Sequence, residues 1–327
     1  MIRVGVSGLT GMIGRNFLDS LRCSPGGLEL VAFSRQAEAP GFLADAGVQC
    51  RRIDFTDVGS FAGKLSDLDA FIHLAAAVRA ARPGEFLRAN RDATTVLLEA
   101  LARYGRGGRH LLFASSQTAV GPSGGEPTDE LAPCLPVSSY GRSKLAAEEA
   151  VRGSGLAWTI LRLPAVWGPY DQDGLNILKI ARSGVLPVLG GVPSVLSYIF
   201  AQDLAPLLPR LVLNERLYGS TLNVCYDEPV RLADYLLAVR RLLGLPPRLR
   251  VVPLPRWTGY AAIAALAVAR RLSAGESAAN PDKVREFMGA RWVQSNARLK
   301  AALGLEALRE SGALAATVRW FQERGLL

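Results

Sequence analysis

The chain has 327 residues, 49% of them hydrophobic and 20% charged; it can bury one large core or two unequal domains and is too apolar to be disordered. Its formal charge of +9 is mostly Arg, spread along the chain rather than gathered in a stripe or tail; this excludes the clustered basic face of a nucleic-acid-binding protein and leaves a solvated surface with some preference for anionic ligands or membranes. Cys23, Cys50, Cys134 and Cys225 lack metal-ligand spacing and Met1 opens the first strand, so free thiols in a reducing cytoplasm, no signal peptide and no metal are expected.

Residues 2–6, 28–33, 48–53, 70–74, 110–114 and 158–163 read as buried strands, and 16–22, 86–104 and 141–152 as helices between them. This alternation predicts a doubly wound α/β fold, a parallel sheet with helices on both faces and ligands outside the carboxyl ends of its strands. Past Leu163 the chain is rich in Gly and Pro up to Gly191, with a short helix over 175–183. Residues 198–208 and 221–225 read as a return to the first sheet. A helix over 232–243 is closed by Gly244 and Pro246-Pro247, and the chain from Val251 is expected to be mostly helical. The expected division is a dinucleotide-binding domain of 1–165, with 197–226 returning to it, and a smaller, mostly helical substrate domain of 166–196 and 227–327. Within the latter, 257–272 is apolar but sixteen residues long and closed by Arg270-Arg271, short of the roughly twenty that span a bilayer. It reads as a helix packed on the substrate domain, or as an interfacial or lid helix touching a membrane or an apolar substrate.

The turn Ser7-Gly8-Leu9-Thr10-Gly11-Met12-Ile13-Gly14 follows the first strand and leads into a helix. That order lets a pyrophosphate rest on a helix N-terminus, with glycines admitting the sharp turn, the phosphates and close helix–strand packing. Farther on, Tyr140 and Lys144 stand four apart at the start of a helix, on one face. A phenol has an ordinary pKa of about 10, and a neighbouring ammonium favours the phenolate, so the pair can pass a proton to or from a substrate oxygen. A serine at the end of the strand Phe113-Ala114-Ser115-Ser116 can hydrogen-bond the same oxygen.

Further stretches follow in a fixed order: Asp54-Phe55 at a strand end; His73-Leu74-Ala75-Ala76; Asn90 with Thr94 and Leu97-Leu98-Glu99-Ala100, Ala93 standing where a Gly is usual; Ser115-Ser116-Gln117-Thr118-Ala119-Val120-Gly121; and Leu161-Arg162-Leu163-Pro164-Ala165-Val166-Trp167-Gly168-Pro169. With the glycine turn, these resemble the motifs of the extended short-chain dehydrogenase/reductase family, also called the NAD-dependent epimerase/dehydratase family, over nearly the whole chain. The resemblance implies a Rossmann-type fold and an NAD(P)-dependent oxidoreductase with Tyr140 as acid/base, Lys144 holding the ribose hydroxyls, and Ser116 holding the substrate oxygen (Ser115 if the register slips by one). It implies cofactor contacts from Gly8, Thr10, Gly11, Met12, Ile13, Gly14, Asp54, Phe55, Leu74, Ala75, Ala76, Asn90, Pro164 and Val166, besides Tyr140 and Lys144. Val78, Ser116, Gln117, Thr118, Tyr140 and Trp167 would face the substrate. His73 is expected to be structural, and His110 has no evident partner. A homodimer through helices 86–104 and 141–152 is also implied.

The second strand ends Val31-Ala32-Phe33-Ser34-Arg35, with no acid until Glu38. Acids there accept from the ribose of NAD, whereas Arg35 with Ser34 suits a 2′-phosphate, so NADP is expected over NAD. For the substrate, Ala165 stands in the region where relatives acting on nucleotide-sugars carry an Asn, and the stretch Val195-Leu196-Ser197 lacks a base. An apolar alcohol or ketone is expected, as in the 3β-hydroxysteroid dehydrogenase and dihydroflavonol reductase branches. A nucleotide-sugar epimerase or dehydratase is the alternative, and a non-catalytic cofactor-binding scaffold or sensor a further one.

Overall fold

Buried apolar runs form one seven-stranded sheet. A computed structural model describes the chain except residues 24–26, 37–39, 81, 107–109, 192–193, 213, 273–280 and 289–290. Its main strands are β1 (Ile2–Ser7), β2 (Leu28–Ser34), β3 (Gln49–Arg52), β4 (Ala70–His73), β5 (His110–Ser116), β6 (Ala157–Leu163) and β7 (Ser220–Asn223). All pair in parallel, in the order β7-β6-β5-β4-β1-β2-β3. The direction of winding reverses between β1 and β4, which opens a crevice at the carboxyl ends of those strands.

Both faces of the sheet are buried, hence the near-continuous apolar runs. In β5, Leu112 and Ala114 pack with Val4, Ile72, Leu161 and Phe17 of helix α1 (Met12–Cys23). Leu111 and Phe113 pack on the other face with Leu97 of α2 (Ala93–Tyr104) and Ala147 of α3 (Ser139–Arg152). The Ser138 hydroxyl caps α3 by accepting from Gly141 N–H at 3.0 Å, satisfying one of the donors a helix start leaves over.

One expectation is corrected and two are refined. The stretch 198–208 does not return to the main sheet: Tyr198–Phe200 pairs with Ala165–Trp167 as a separate ribbon, and helices Ala201–Leu204 and Leu207–Val212 follow. Aromatic and β-branched residues stop at Phe200, and the Ala- and Leu-rich run after it favours helix. The helix expected over 86–104 is divided into Pro83–Phe86, a π-helical turn Leu87–Asp92, and α2. The C-terminal part also contains strands, because Arg250–Leu254 pairs with Val185–Leu189, and Arg291–Trp292 lies beside Val195–Leu196. Its helices are α4 (Arg256–Leu272), Pro281–Met288, Ala297–Leu303 and Ala313–Glu323. No helix among the described residues is long and apolar enough to cross a membrane.

Candidate active site

The glycine turn is a cradle that side chains would fill. Gly8 sits at φ +80°, and a Cβ there would stand 2.6 Å from the backbone N of Ala75. A Cβ on Gly14 would drive into the backbone of Leu9. α1 begins at Met12, so the N–H groups of Met12 and Ile13 belong to a first turn with no acceptor inside the helix, as an anion requires. The Thr10 carbonyl accepts from Arg15 Nε at 3.1 Å and closes the turn.

Across the crevice, Leu74 N–H donates to the Ser7 carbonyl at 3.0 Å, which seats the loop of Leu74, Ala75 and Ala76 against the glycine turn. Asn90, in the π turn, holds this loop: its Oδ1 accepts from Ala77 N–H at 2.8 Å, and its Nδ2 donates to the Ala77 carbonyl at 3.1 Å and to Ser143 Oγ at 2.9 Å. Ser143 then donates to the Tyr140 carbonyl at 2.7 Å. Asn90, expected as a cofactor contact, therefore has its amide taken up by the protein and positions loop and helix together. His73 is a neutral strut beneath. Thr94 donates to the Asn90 carbonyl, so His73 Nε2–H donates to Thr94 (3.1 Å) while Nδ1 accepts from Ser7 (2.5 Å). Burial, with the charge of Lys144, lowers its pKa to about 3.

Ser116, Tyr140 and Lys144 meet at the end of β5. Ser116 Oγ accepts from the Thr118 hydroxyl at 2.9 Å and Thr118 N–H at 3.2 Å, and is near enough to the Tyr140 phenol to favour its ionisation. Burial pushes the Tyr140 phenol above its usual value, Glu286 adds to this, and Ser116 opposes it. Phe86 packs edge-on against the Tyr140 ring, centroids 5.9 Å apart. Lys144, 2% exposed, donates to the Ala114 carbonyl at 2.6 Å and lies 4.5 Å from the centre of the Phe113 ring. Burial lowers its pKa to about 8, against the pull of Glu148.

Ser115 points the other way, donating to Glu148 Oε1 at 2.6 Å. Glu148 is also held by Arg162 (2.9 Å) and Arg152 (2.6 Å), all beneath the crevice floor. Despite the cost of its burial, the Arg162 hydrogen bonds keep Glu148 below its usual pKa. Successive strand residues face opposite sides, and Ser116 is the one beside Tyr140.

At the far end, beyond β2 and β3, lies a pocket of about 350 Å³ lined by Arg35, Arg52, Ile53, Asp54, Ser60 and Lys64. The Thr56 N–H and hydroxyl bond the Asp54 carboxylate, both at 2.8 Å, and hold its pKa down. Ser34 Oγ accepts from Gln36 N–H at 3.1 Å, and the Phe55 ring lies 5.9 Å from that of His73. Arg52 and Lys64 were not expected here, although an Arg ending the strand beside Arg35 was a readable signal.

Among the expected substrate residues, Val78 is exposed, and Gln117 is buried with no partner for its Nε2 among the described residues. Trp167 is 4% exposed, its ring 4.2 Å from Tyr235 and 5.2 Å from Tyr198. Apolar aromatic bulk at that position is drawn into the core. Pro164, just before the ribbon strand, and Val166, within it, are half-buried. Glu286 was missed, since nothing in its neighbourhood in the chain marks it as facing Tyr140.

The profile of the NAD dependent epimerase/dehydratase family matches residues 4–225. The chain belongs to that family. It is an NAD(P)-dependent enzyme of the extended short-chain dehydrogenase/reductase type, and its crevice fits a nicotinamide cofactor in the glycine cradle. It is 27% identical over 326 residues to a ceramide reductase of Caulobacter vibrioides, covering 99% of this chain and 96% of that one. It is 31% identical over 324 residues to a 3-diazoavenalumate denitrifying reductase of Streptomyces sp, covering 93% and 100%. The fold matches that of DesIV, a dTDP-glucose 4,6-dehydratase from Streptomyces venezuelae solved with NAD bound, with a TM-score of 0.76 and 21% identity over 99% of this chain and 98% of that one.

Proposed function

We propose that this family member is an NADP-dependent reductase that interconverts a ketone and an alcohol on an apolar small molecule, with Tyr140 as the proton-transfer group. The observation that carries the reading is the meeting of Ser116 and Tyr140 at the end of β5, with a buried Lys144 one helical turn from Tyr140. A bound nicotinamide supplies or accepts the hydride. Ser116, oriented by Thr118, offers its hydroxyl to the substrate oxygen, and Tyr140 gives that oxygen a proton or removes one. Burial keeps Tyr140 protonated at neutral pH, which suits the reductive direction, in which it donates. Lys144, held by the Ala114 carbonyl, supplies a nearby positive charge that stabilises the phenolate left behind.

Three cations, Arg35, Arg52 and Lys64, border the far pocket, while the Asp54 carboxylate is already bonded by Thr56. A 2′-phosphate is matched to such a site. Reduction is supported by the names of both relatives, one of them acting on a lipid. The chain outside the main sheet, 166–196 and 227–327, is proposed as the substrate-covering part. A second reading, a nucleotide-sugar epimerase or dehydratase, is favoured by one observation: Arg291 lies in register with Val195, where a base was missing, and its buried Nε has no partner among the described residues.

The test is NADPH oxidation with steroid-like and aryl ketones, alongside calorimetric titration of the cofactor-loaded protein with UDP-, GDP- and dTDP-sugars. Turnover of a ketone without nucleotide-sugar binding is expected. Micromolar binding and turnover of a nucleotide-sugar would replace the first reading with the second.

A further inference from the structure

The positive charge is far less evenly spread than the whole-chain composition suggests. Residues 235–275 contain seven Arg and no Lys, Asp or Glu, so this stretch carries seven of the nine net charges. Arg240 is committed internally, donating to the carbonyls of Pro246 (2.8 Å) and Ala181 (2.7 Å). Arg241, Arg248, Arg250 and Arg256 are exposed.

Directly after Arg256, α4 turns an apolar stripe outward. Trp257 is 67% exposed and Tyr260 63%, and Ala261 and Ala264 continue the same face at helical spacing. The other four tryptophans, Trp158, Trp167, Trp292 and Trp320, are buried or half-buried. The inner side of the helix is already occupied: a Cβ on Gly259 would stand 3.2 Å from Met288 Sδ and 3.3 Å from Leu189 Cδ1. In sequence, Arg270-Arg271 closes the far end of the stripe.

We propose that this face docks on the surface of an anionic phospholipid bilayer. A stripe led by Trp and Tyr suits the boundary between head groups and acyl chains, where an aromatic body is buried and its polar tip stays wet. Arg256 at the head of the stripe, with Arg248 and Arg250 just before it in the chain, is placed to meet acidic head groups, each such arginine contributing about fivefold to binding near an anionic surface. The helix is too short to span, so it lies along the surface. A nucleic acid would meet the arginines but leave the Trp–Tyr–Ala stripe without an apolar partner. α4 packs on Pro281–Met288, from which Glu286 bears on Tyr140, so a docked bilayer adjoins the part of the chain that covers the catalytic groups.

The test needs neither cofactor nor substrate and does not depend on the proposed reaction. Full-length protein is floated with vesicles of phosphatidylcholine, with and without phosphatidylglycerol. Binding to the phosphatidylglycerol vesicles, weakening as salt is added, is the expected result. Arg248→Glu with Arg250→Glu should reduce it by about 25-fold or more, and Trp257→Ser with Tyr260→Ser by about tenfold or more. Both double variants should keep the wild-type circular dichroism. The proposal is overturned if anionic vesicles are not bound, if neutral vesicles are bound equally well, or if either variant binds like the wild type. It is overturned too if a DNA duplex displaces the protein from vesicles, or if light scattering shows a wild-type dimer that Trp257→Ser with Tyr260→Ser converts to monomer, since the face would then be an interface between copies.

Discussion

The two ends of the crevice handle charge in opposite ways. Where β5 meets α3, Lys144 and Glu148 are sealed from water, each fixed by hydrogen bonds to strand or helix partners. Where β2 and β3 end, Arg35 and Arg52 are exposed. In the dry end the dielectric is low, so pKa values move, Lys144 down to about 8 and Tyr140 up. Such a setting can hold a proton at one atom and release it to a neighbour. In the wet end, solvent and salt screen each cation, which suits a group that must bind and leave. On the proposed reading, one end reacts and the other exchanges.

The largest effect is expected from Glu148→Ala. It leaves Arg162 buried without its carboxylate and should lower stability by about 3–5 kcal/mol, read by chemical denaturation. A loss typical of an exposed pair, below about 1 kcal/mol, would show that this end is not dry. Tyr140→Phe removes the proposed proton donor but keeps the ring against Phe86, so turnover should fall by roughly a hundredfold or more with an unchanged melting temperature. Near-normal turnover would remove Tyr140 from the mechanism.

At the wet end, Arg35→Ala should weaken NADP by about ten- to a hundredfold while barely changing NAD, because one charge-assisted contact is lost. The difference should shrink as salt is added. Equal weakening of both cofactors, or tighter wild-type binding of NAD, would contradict the proposed preference.

The smallest effect concerns pH. The folded pKa of Lys144 lies near 8, below its usual 10.5, so between these values the unfolded chain holds the extra proton. Below about pH 8 both states carry it and the buried ammonium destabilises the fold fully; as pH rises towards 10 that penalty is relieved. Cofactor-free protein should therefore gain on the order of 1–2 kcal/mol from pH 8 to 10, and Lys144→Met should lose this slope. An equal slope in both proteins would place its origin elsewhere.

The parts of the crevice that could be read in advance are local. A glycine turn between strand and helix, and a Tyr and Lys four apart, are decided within one or two elements, and the structure assembles them as their spacing implies. Asn90 shows the limit: its place in the motif was visible, but its role in tying Ala77 to Ser143 depends on a π turn and on a helix about fifty residues away. The two serines show it again. Alternation required them to face opposite sides, yet only the positions of Glu148 and Tyr140 reveal which side is the crevice.

By itself the sequence determined the doubly wound sheet, the cradle and the Ser116–Tyr140–Lys144 set, because apolar periodicity and short-range spacing act through the backbone geometry of neighbouring residues. Tertiary structure alone decided that Trp167 fills the core, that Lys64 joins Arg35, that Arg291 lies beside Val195, and that Glu286 bears on Tyr140. These contacts join elements distant in the chain, and long-range electrostatics and close packing follow distance in space, which periodicity does not encode.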